Sequence, residues 1–208
     1  MLGLRLLQLW DLFGVIVFAL SGALRGAQKG LDVWGMFFLA TLTAMGGGTL
    51  RSLLIGDLPP PLFREPLYLV LITATTAAAF LLAARLRRLG WAMLVSDALG
   101  LGVFTCVGIA VSLEHGLAAW SALAMGVITA CFGGIMRDVA VNEVPLILQR
   151  EVYATACLGG GLVYLALERA GAGLLASTVA ATACIVVARV LAVRFNLALP
   201  RLGSSAED

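Results

Sequence analysis

The sequence predicts an all-α membrane protein: seven transmembrane helices built as two inverted three-helix repeats plus a seventh helix. Three observations lead there: a composition too apolar for a soluble domain, uncharged runs of bilayer length, and an internal duplication. Of 208 residues, 61% are hydrophobic and 12% charged, whereas an ordinary soluble domain carries about 25% charged residues. A spanning helix needs about 20 mostly apolar residues. Seven runs qualify, at roughly 6–24, 32–50, 66–84, 90–112, 117–136, 152–168 and 171–190. Little chain is left over, so residues 1–208 read as a single transmembrane domain without a soluble catalytic or binding part, and about 202–208 as a disordered polar tail.

The duplication appears when the chain is slid against itself by 86 positions, which aligns 11–65 with 97–151 without a gap. Identical pairs include rare and polar types: Asp11 with Asp97, Trp34 with Trp120, Thr43 with Thr129, Arg51 with Arg137, Pro59 with Pro145, and Arg64-Glu65 with Arg150-Glu151. Shared apolar composition aligns leucines and alanines by accident, but not these in one register. The repeats run over about 7–85 and 90–169, and an extra helix over about 171–193 lies outside them. Three spans per repeat make the second copy enter the membrane from the opposite side, an inverted repeat of the kind that brings two equivalent segments together near the midplane.

The first span, with Arg5, an apolar run and the small-residue end ALSGA, has the look of a secretory signal peptide. Its segment Asp11 to Gly22 recurs as Asp97 to Gly108 in mid-chain, where no signal peptide can stand, so the span is expected to stay in the mature protein. Asp11 and Asp97 sit a few residues inside their spans and are candidates for an ion pathway or a counter-charge. Both an interfacial position and an ionic role are open to them. The second and fifth spans end in GGGTLRSLLIGDLP and FGGIMRDVAVNEVP. Gly46, Gly47, Gly48, Gly133 and Gly134 admit two readings: small residues that let helices approach closely, or helix breaks, since glycine costs about 1 kcal/mol relative to alanine and unwound backbone at membrane depth lines a wet cavity or is buried in protein.

Arg51 and Arg137 likewise either snorkel to the interface as anchors or lie deeper, as part of a pore or gate, provided each has a partner. Asp138 adjoins Arg137, although adjacent helical residues do not face each other; Asp11 and Asp97 are the better partners. Thr43 and Thr129, one turn before the glycines, are possible pore hydroxyls, but threonine in a membrane helix often bonds its own backbone. Pro59 and Pro145 end helices. Cys106, Cys131, Cys157 and Cys184 all fall in apolar spans without Cys-x-x-Cys spacing and read as packing residues. His115 reads as a solvated loop residue. No metal site, cofactor or nucleic-acid partner is expected. An enzyme is not expected either, for want of a Ser/His or Asp/Asp constellation at matched depth.

Positive charge sets orientation. One set of connections carries Arg25, Lys29, Arg85, Arg87, Arg88, Arg150, Arg194 and Arg201, the other Arg5, Arg64 and Arg169, with Arg51, Arg137 and Arg189 set aside as intramembrane. Eight against three places the N-terminus outside and the C-terminus in the cytoplasm.

The two motifs resemble those of the prokaryotic trimeric intracellular cation channel family, small bacterial membrane proteins also labelled glycine transporters. The resemblance runs from residue 7 to about 195. It rests on Gly46, Gly47, Gly48, Thr49 and Arg51 in the first copy, and on Gly133, Gly134, Arg137, Asp138, Asn142, Glu143 and Pro145 in the second, followed by Arg150 and Glu151. It implies a homotrimer in lipid, located in the inner membrane, whose subunits each carry a pore for monovalent cations, chiefly potassium. It also implies that the second and fifth spans bend at their glycines, with Gly46, Gly47, Gly48, Thr49, Arg51, Gly133, Gly134, Arg137 and Asp138 at the pore or gate. One departure stands out: Ser52 follows Arg51 where Asp138 follows Arg137. A secondary transporter for a small amino acid such as glycine is the alternative, because inverted repeats serve both functions.

The charge asymmetry makes a topological prediction. Reporter fusions placed after Arg88 and after Arg201 both read cytoplasmic, and a periplasmic signal from either overturns the orientation.

Overall fold

The computed structural model describes residues 2–83, 89–149 and 152–195. Arg85, Arg87, Arg88, Arg150, Arg201 and the 202–208 tail lie outside the described residues. Among those described, the chain is all helix: α1 (Leu2–Gln28), α2 (Val33–Ile55), α3 (Pro61–Arg64), α4 (Pro66–Ala83), α5 (Leu89–Glu114), α6 (Ala119–Ala140), α7 (Leu146–Gln149), α8 (Ala154–Arg169) and α9 (Leu174–Arg194). The long helices fall where the seven apolar runs were read. Five of them are long and apolar enough to cross a membrane: Arg5–Gln28, Val33–Ile55, Gly90–Glu114, Ala119–Ala140 and Leu174–Arg194. With 18 and 16 residues, α4 and α8 are shorter, about 27 and 24 Å at 1.5 Å per residue.

The halves α1–α4 and α5–α8 repeat one order of elements: two long helices, a single turn, then a shorter helix. The single turns α3 and α7 follow Pro59 and Pro145, where the sequence reading placed only helix ends. The ends of α2 and α6 also match. Gly56 and Asn142, equivalent positions, are left-handed at φ 77° and 56°, and the next amides, Asp57 and Glu143, donate back to the Ser52 and Asp138 carbonyls at 2.9 Å each. That back-bonding satisfies carbonyls a helix end leaves open.

The glycine clusters do not unwind the backbone. Both α2 and α6 run as unbroken α-helix through Gly46–Gly48 and Gly133–Gly134. The glycines instead bring the two helices into backbone contact. A Cβ on Gly47 would fall on the Thr129 carbonyl oxygen, and one on Gly133 on the Thr43 carbonyl oxygen. The motif on each helix is Thr, Gly, Arg at spacings of four, Thr43–Gly47–Arg51 and Thr129–Gly133–Arg137, so all three lie along one helix face. Gly22 packs in the same way on Leu39, Ala40 and Thr43 of α2, and its equivalent Gly108 on Gly126 and Thr129 of α6. Without a hydrophobic drive between helices in lipid, such close backbone packing is a main source of association. Gly100 packs against the Phe18 ring, whereas Gly48 meets nothing within 4 Å.

Opposite effects are therefore expected from one substitution type. Gly47→Ala and Gly133→Ala each destabilise the detergent-solubilised protein by about 1–3 kcal/mol through overpacking. Gly48→Ala stabilises by up to about 1 kcal/mol through helix propensity. Thermal unfolding followed by size-exclusion chromatography reads both signs.

Candidate functional site: two arginine, aspartate and tyrosine clusters

Arg137, one turn beyond the Gly133 crossing, is fully buried. Its Nε donates to Asp138 Oδ1 at 2.9 Å, and its Nη1 donates to Ser21 Oγ at 2.8 Å and to Asp97 Oδ1 at 2.5 Å. Adjacent helical residues do not face one another, yet the long arginine side chain folds over to reach Asp138. Asp138 serves two ends, since its Oδ2 also accepts the Leu146 amide at 3.0 Å and so caps the start of α7. Tyr153, at the start of α8, donates to Asp97 Oδ1 at 3.5 Å. From α9 comes a second buried cation, Arg189. Its guanidinium lies 4.6 Å from the Tyr153 ring centre, its Nη1 donates to the Val152 carbonyl at 3.0 Å, and its Nη2 stands 3.9 Å from Asp97 Oδ2. Two cations and two carboxylates, Arg137, Arg189, Asp97 and Asp138, thus balance inside the protein. A cavity of about 480 Å³ with mostly apolar walls, among them Trp91, Leu94, Leu146 and Val193, reaches Asp97 and Arg189.

Arg51 sits one turn beyond Gly47 and is only 3% exposed. Its surroundings repeat the same residue types with a different outcome. Tyr68 of α4 donates to Asp11 Oδ2 at 2.6 Å, as Tyr153 does to Asp97. Among the described residues, however, the Nε and Nη1 of Arg51 have no hydrogen-bond partner, whereas Arg137 lacks one only at Nη2. Two equivalences explain why: Ser52 stands in place of Asp138, and Val107 in place of Ser21. Arg51 lines an open polar cavity of about 300 Å³ together with Asp11, Asp57, Arg64, Glu65, Tyr68 and Glu114. Arg64 pairs with Asp57 at 2.5 Å, and Gln8 donates to the Glu65 carboxylate at 3.1 Å.

Both arginines are enclosed by protein, with side chains that do not reach its surface. Thr43 and Thr129 are buried, and their hydroxyls donate to the Leu39 and Met125 carbonyls at 2.7 Å each, the backbone-bonded arrangement. Gly46 faces the Met136 sulfur and Gly134 the Tyr153 hydroxyl, while Thr49 is half-buried. Between the clusters lie Phe18 and Phe104, equivalent residues buried with ring centres 5.1 Å apart. Phe18 falls on α1 between Asp11 of one cluster and Ser21 of the other. Phe104 falls on α5 between Asp97 of one and Val107, which lines the cavity of the other. Beyond this core, Arg25 and Lys29 at the end of α1 both pair with Glu143 after α6. Among the described residues no three His, Cys, Asp or Glu side chains converge as a metal site.

Sequence reasoning missed Tyr68, Tyr153, Ser21 and the part played by Arg189. Tyr68 and Tyr153 are 85 residues apart, one out of register with the duplication, so an ungapped comparison ending at Glu65 does not pair them. Phe18 and Phe104 were missed too, although they are an identical pair at the offset of the duplication.

The two clusters differ in what holds them, and stability should report it. Asp97→Asn leaves Arg137 and Arg189 with one carboxylate between them and is expected to destabilise by about 3–5 kcal/mol, the range for breaking a buried ion pair. Asp11→Asn removes no ion pair of hydrogen-bonding geometry and is expected to lose clearly less. Thermal midpoints of the two variants check the order.

The chain matches the sequence model of a family described as glycine transporter over residues 8–84 and 94–169. The two segments start 86 residues apart, 94 minus 8, the offset of the internal duplication. It is 43% identical over 199 residues to a UPF0126 membrane protein of Vibrio cholerae, covering 94% of this chain and 82% of that one. To the UPF0126 inner membrane protein YadS of Escherichia coli K12 it is 36% identical over 192 residues, covering 91% and 93%. Among solved structures it resembles the trimeric intracellular cation channel orthologue from Rhodobacter sphaeroides, with a TM-score of 0.87, 35% identity and coverage of 92% of this chain and 99% of that one. A prokaryotic channel of the same kind, crystallised in 0.5 M KCl, gives a TM-score of 0.86 at 32% identity, covering 94% and 99%. With the family model matched over most of the chain, relatives 36–43% identical over nearly its whole length and the helical fold shared with solved channels at 35% identity, the chain belongs to the prokaryotic trimeric intracellular cation channel family.

Proposed function

We propose that this multi-pass inner-membrane protein is a cation channel, not an enzyme, and that it conducts potassium through a pore within each subunit of a homotrimer. The observation that carries the reading is the paired arrangement along one core: the Arg51 cluster, the Phe18–Phe104 pair, then the Arg137 cluster. Two equivalent charged layers separated by an apolar layer form an hourglass pathway closed at its waist. Family membership supports the same reading, since the related solved structures are cation channels.

In this proposal α4 and α8 complete seven crossings, the halves are inverted, the Arg51 cavity opens outside and the Arg137 cluster faces the cytoplasm. Trp34 and Trp120, 73% and 77% exposed at the starts of α2 and α6, fit opposite bilayer interfaces, where tryptophan concentrates. The cavity around Arg51 carries Asp11, Asp57, Glu65 and Glu114 against Arg51 and Arg64, a negative surplus that draws cations inward. The arginines then act as barriers. A guanidinium 4 Å from a permeating cation opposes it by about 4 kcal/mol at an effective dielectric of 20, so conduction requires the arginines to withdraw and the phenylalanines to part.

A secondary transporter for a small amino acid is the second reading, favoured by the Arg51 guanidinium at an open cavity, which suits a carboxylate. Planar-bilayer recordings of the purified protein in potassium gradients decide between them. Unitary currents reversing near the potassium potential support the channel, whereas silent bilayers with saturable, concentrative glycine uptake in vesicles overturn it. In the same recordings Arg51→Ala is expected to raise potassium conductance severalfold with the trimer intact. Arg137→Ala is expected chiefly to destabilise, because it strands Asp97 and Asp138.

A further inference from the structure

We propose that His115 is a proton-operated clasp at the mouth of the Arg51 cavity: the protonated imidazole pairs with Asp57, tying the end of α5 to the connection between α2 and α3 and opposing the entry of cations. The clasp itself stands on the geometry of the two halves; its effect on cations rests on the channel reading. The first support is a pair of helix ends that repeat. At the end of α1, Gly30 is left-handed at φ 69° and the Leu31 amide donates back to the Gly26 carbonyl at 3.0 Å; at the end of α5, Gly116 is left-handed at φ 82° and the Leu117 amide donates to the Ser112 carbonyl at 3.0 Å. Lys29 and His115 immediately precede these glycines and are equivalent in the duplication. The acids opposite them repeat as well, since Asp57 and Glu143 each follow the left-handed residue beyond α2 or α6. At the Glu143 end, Arg25 and Lys29 both pair with the carboxylate. At the Asp57 end, Val111 stands in place of Arg25 and His115 in place of Lys29. Two permanent cations are thus replaced by the one side chain type that ordinarily changes its charge between about pH 5 and 8.

The second support is what surrounds the imidazole. His115 is exposed and lines the same cavity as Asp57. Its Nδ1 lies 2.8 Å from the Val111 carbonyl, an oxygen that only accepts, so Nδ1 carries the hydrogen and Nε2 is left to take up a proton. Four carboxylates face this space, Asp11 from α1, Asp57 beyond α2, Glu65 before α4 and Glu114 on the same helix as His115, against two guanidiniums, Arg51 of α2 and Arg64 of α3. The Tyr68 hydroxyl of α4 is bound to Asp11. On α8, Tyr164 senses the charges of Glu114 and Glu168, and the start of α6 carries no charge. Asp57 already holds Arg64 at 2.5 Å, but a carboxylate offers about four lone-pair sites, and Glu143 holds two cations in the same protein. Protonation of His115 takes the formal charge of the lining from −2, two guanidiniums against four carboxylates, to −1. The mouth then attracts cations less. An exposed ion pair adds little to stability, so the consequence is read in contact and ion entry and not in a melting temperature.

His115 is the single histidine of the chain, which makes the clasp directly observable. Full-length protein is isotope-labelled on its histidine ring nitrogens and aspartate carboxylates, purified without a histidine tag and reconstituted in liposomes. Solid-state NMR is expected to show a ring-to-carboxylate dipolar contact at about pH 5.5 that is absent at about pH 8 and lost in Asp57→Asn. In planar bilayers, acidifying the chamber on the His115 side over the same range is expected to lower potassium conductance about twofold or more. His115→Gln is expected to lose most of that response and keep the alkaline conductance, whereas His115→Lys, a fixed charge like Lys29, is expected to show the lower conductance at both pH values. Absence of the contact from the unaltered protein in acid overturns the clasp whatever the currents do, and an acid response undiminished in His115→Gln overturns its effect on cations. Silent bilayers with the contact present uphold the clasp and overturn the channel reading, so the two failures are distinguishable.

Discussion

The crossing of α2 and α6 is the constraint on which the rest of the structure depends. Gly47 lies on the carbonyl of Thr129 and Gly133 on the carbonyl of Thr43, a contact that any side chain at either glycine would open. Because each helix carries its arginine four residues beyond its crossing glycine, this one contact fixes the positions of both guanidiniums relative to the core. It also fixes Thr43 and Thr129, whose hydroxyls turn back to their own helices and leave the crossing as backbone against backbone. In a lipid solvent that offers little hydrophobic gain from helix association, such a contact is worth more than an equal area of larger side chains.

From a shared origin the two ends of the core have become chemically unequal. At one end Asp97 receives Arg137, approaches Arg189 and accepts the Tyr153 hydroxyl, and the added helix α9 closes the group from the side. At the other end, among the described residues, no helix plays the part of α9, Ser52 and Val107 replace two partners, and the cavity stays open onto Arg51. The same set of residue types thus has its charges paired around Asp97 and Asp138 at one end and lines an open, charged cavity at the other.

How much of this could be read beforehand differs from residue to residue. Arg51 and Arg137 stood out because an arginine beside glycines in an apolar run is costly without a partner, and their pairing across the duplication marked them as one feature. Asp97 was named as a partner on the same grounds, and Ser52 as the reason the first copy would lack one. The continuity of α2 and α6 was not legible: consecutive glycines are as compatible with a break as with a close crossing, and only the carbonyl on the facing helix distinguishes them. Nor were the tyrosines, because the register slips by one residue after Glu65, or Arg189, which has no counterpart in the first half.

The sequence alone determined what composition and repetition can determine: a membrane-embedded helical chain, its duplication, the charge asymmetry of its connections and the residues too polar to be buried without a reason. Each follows from local chemistry or from comparison of the chain with itself. The tertiary structure decided which partners those residues take. Whether a glycine unwinds a helix or admits a neighbour, and whether a guanidinium is satisfied or left waiting, depends on atoms supplied by α1, α4, α8 and α9 from distant parts of the chain. Those approaches are set by packing in three dimensions, which no periodicity along the chain encodes.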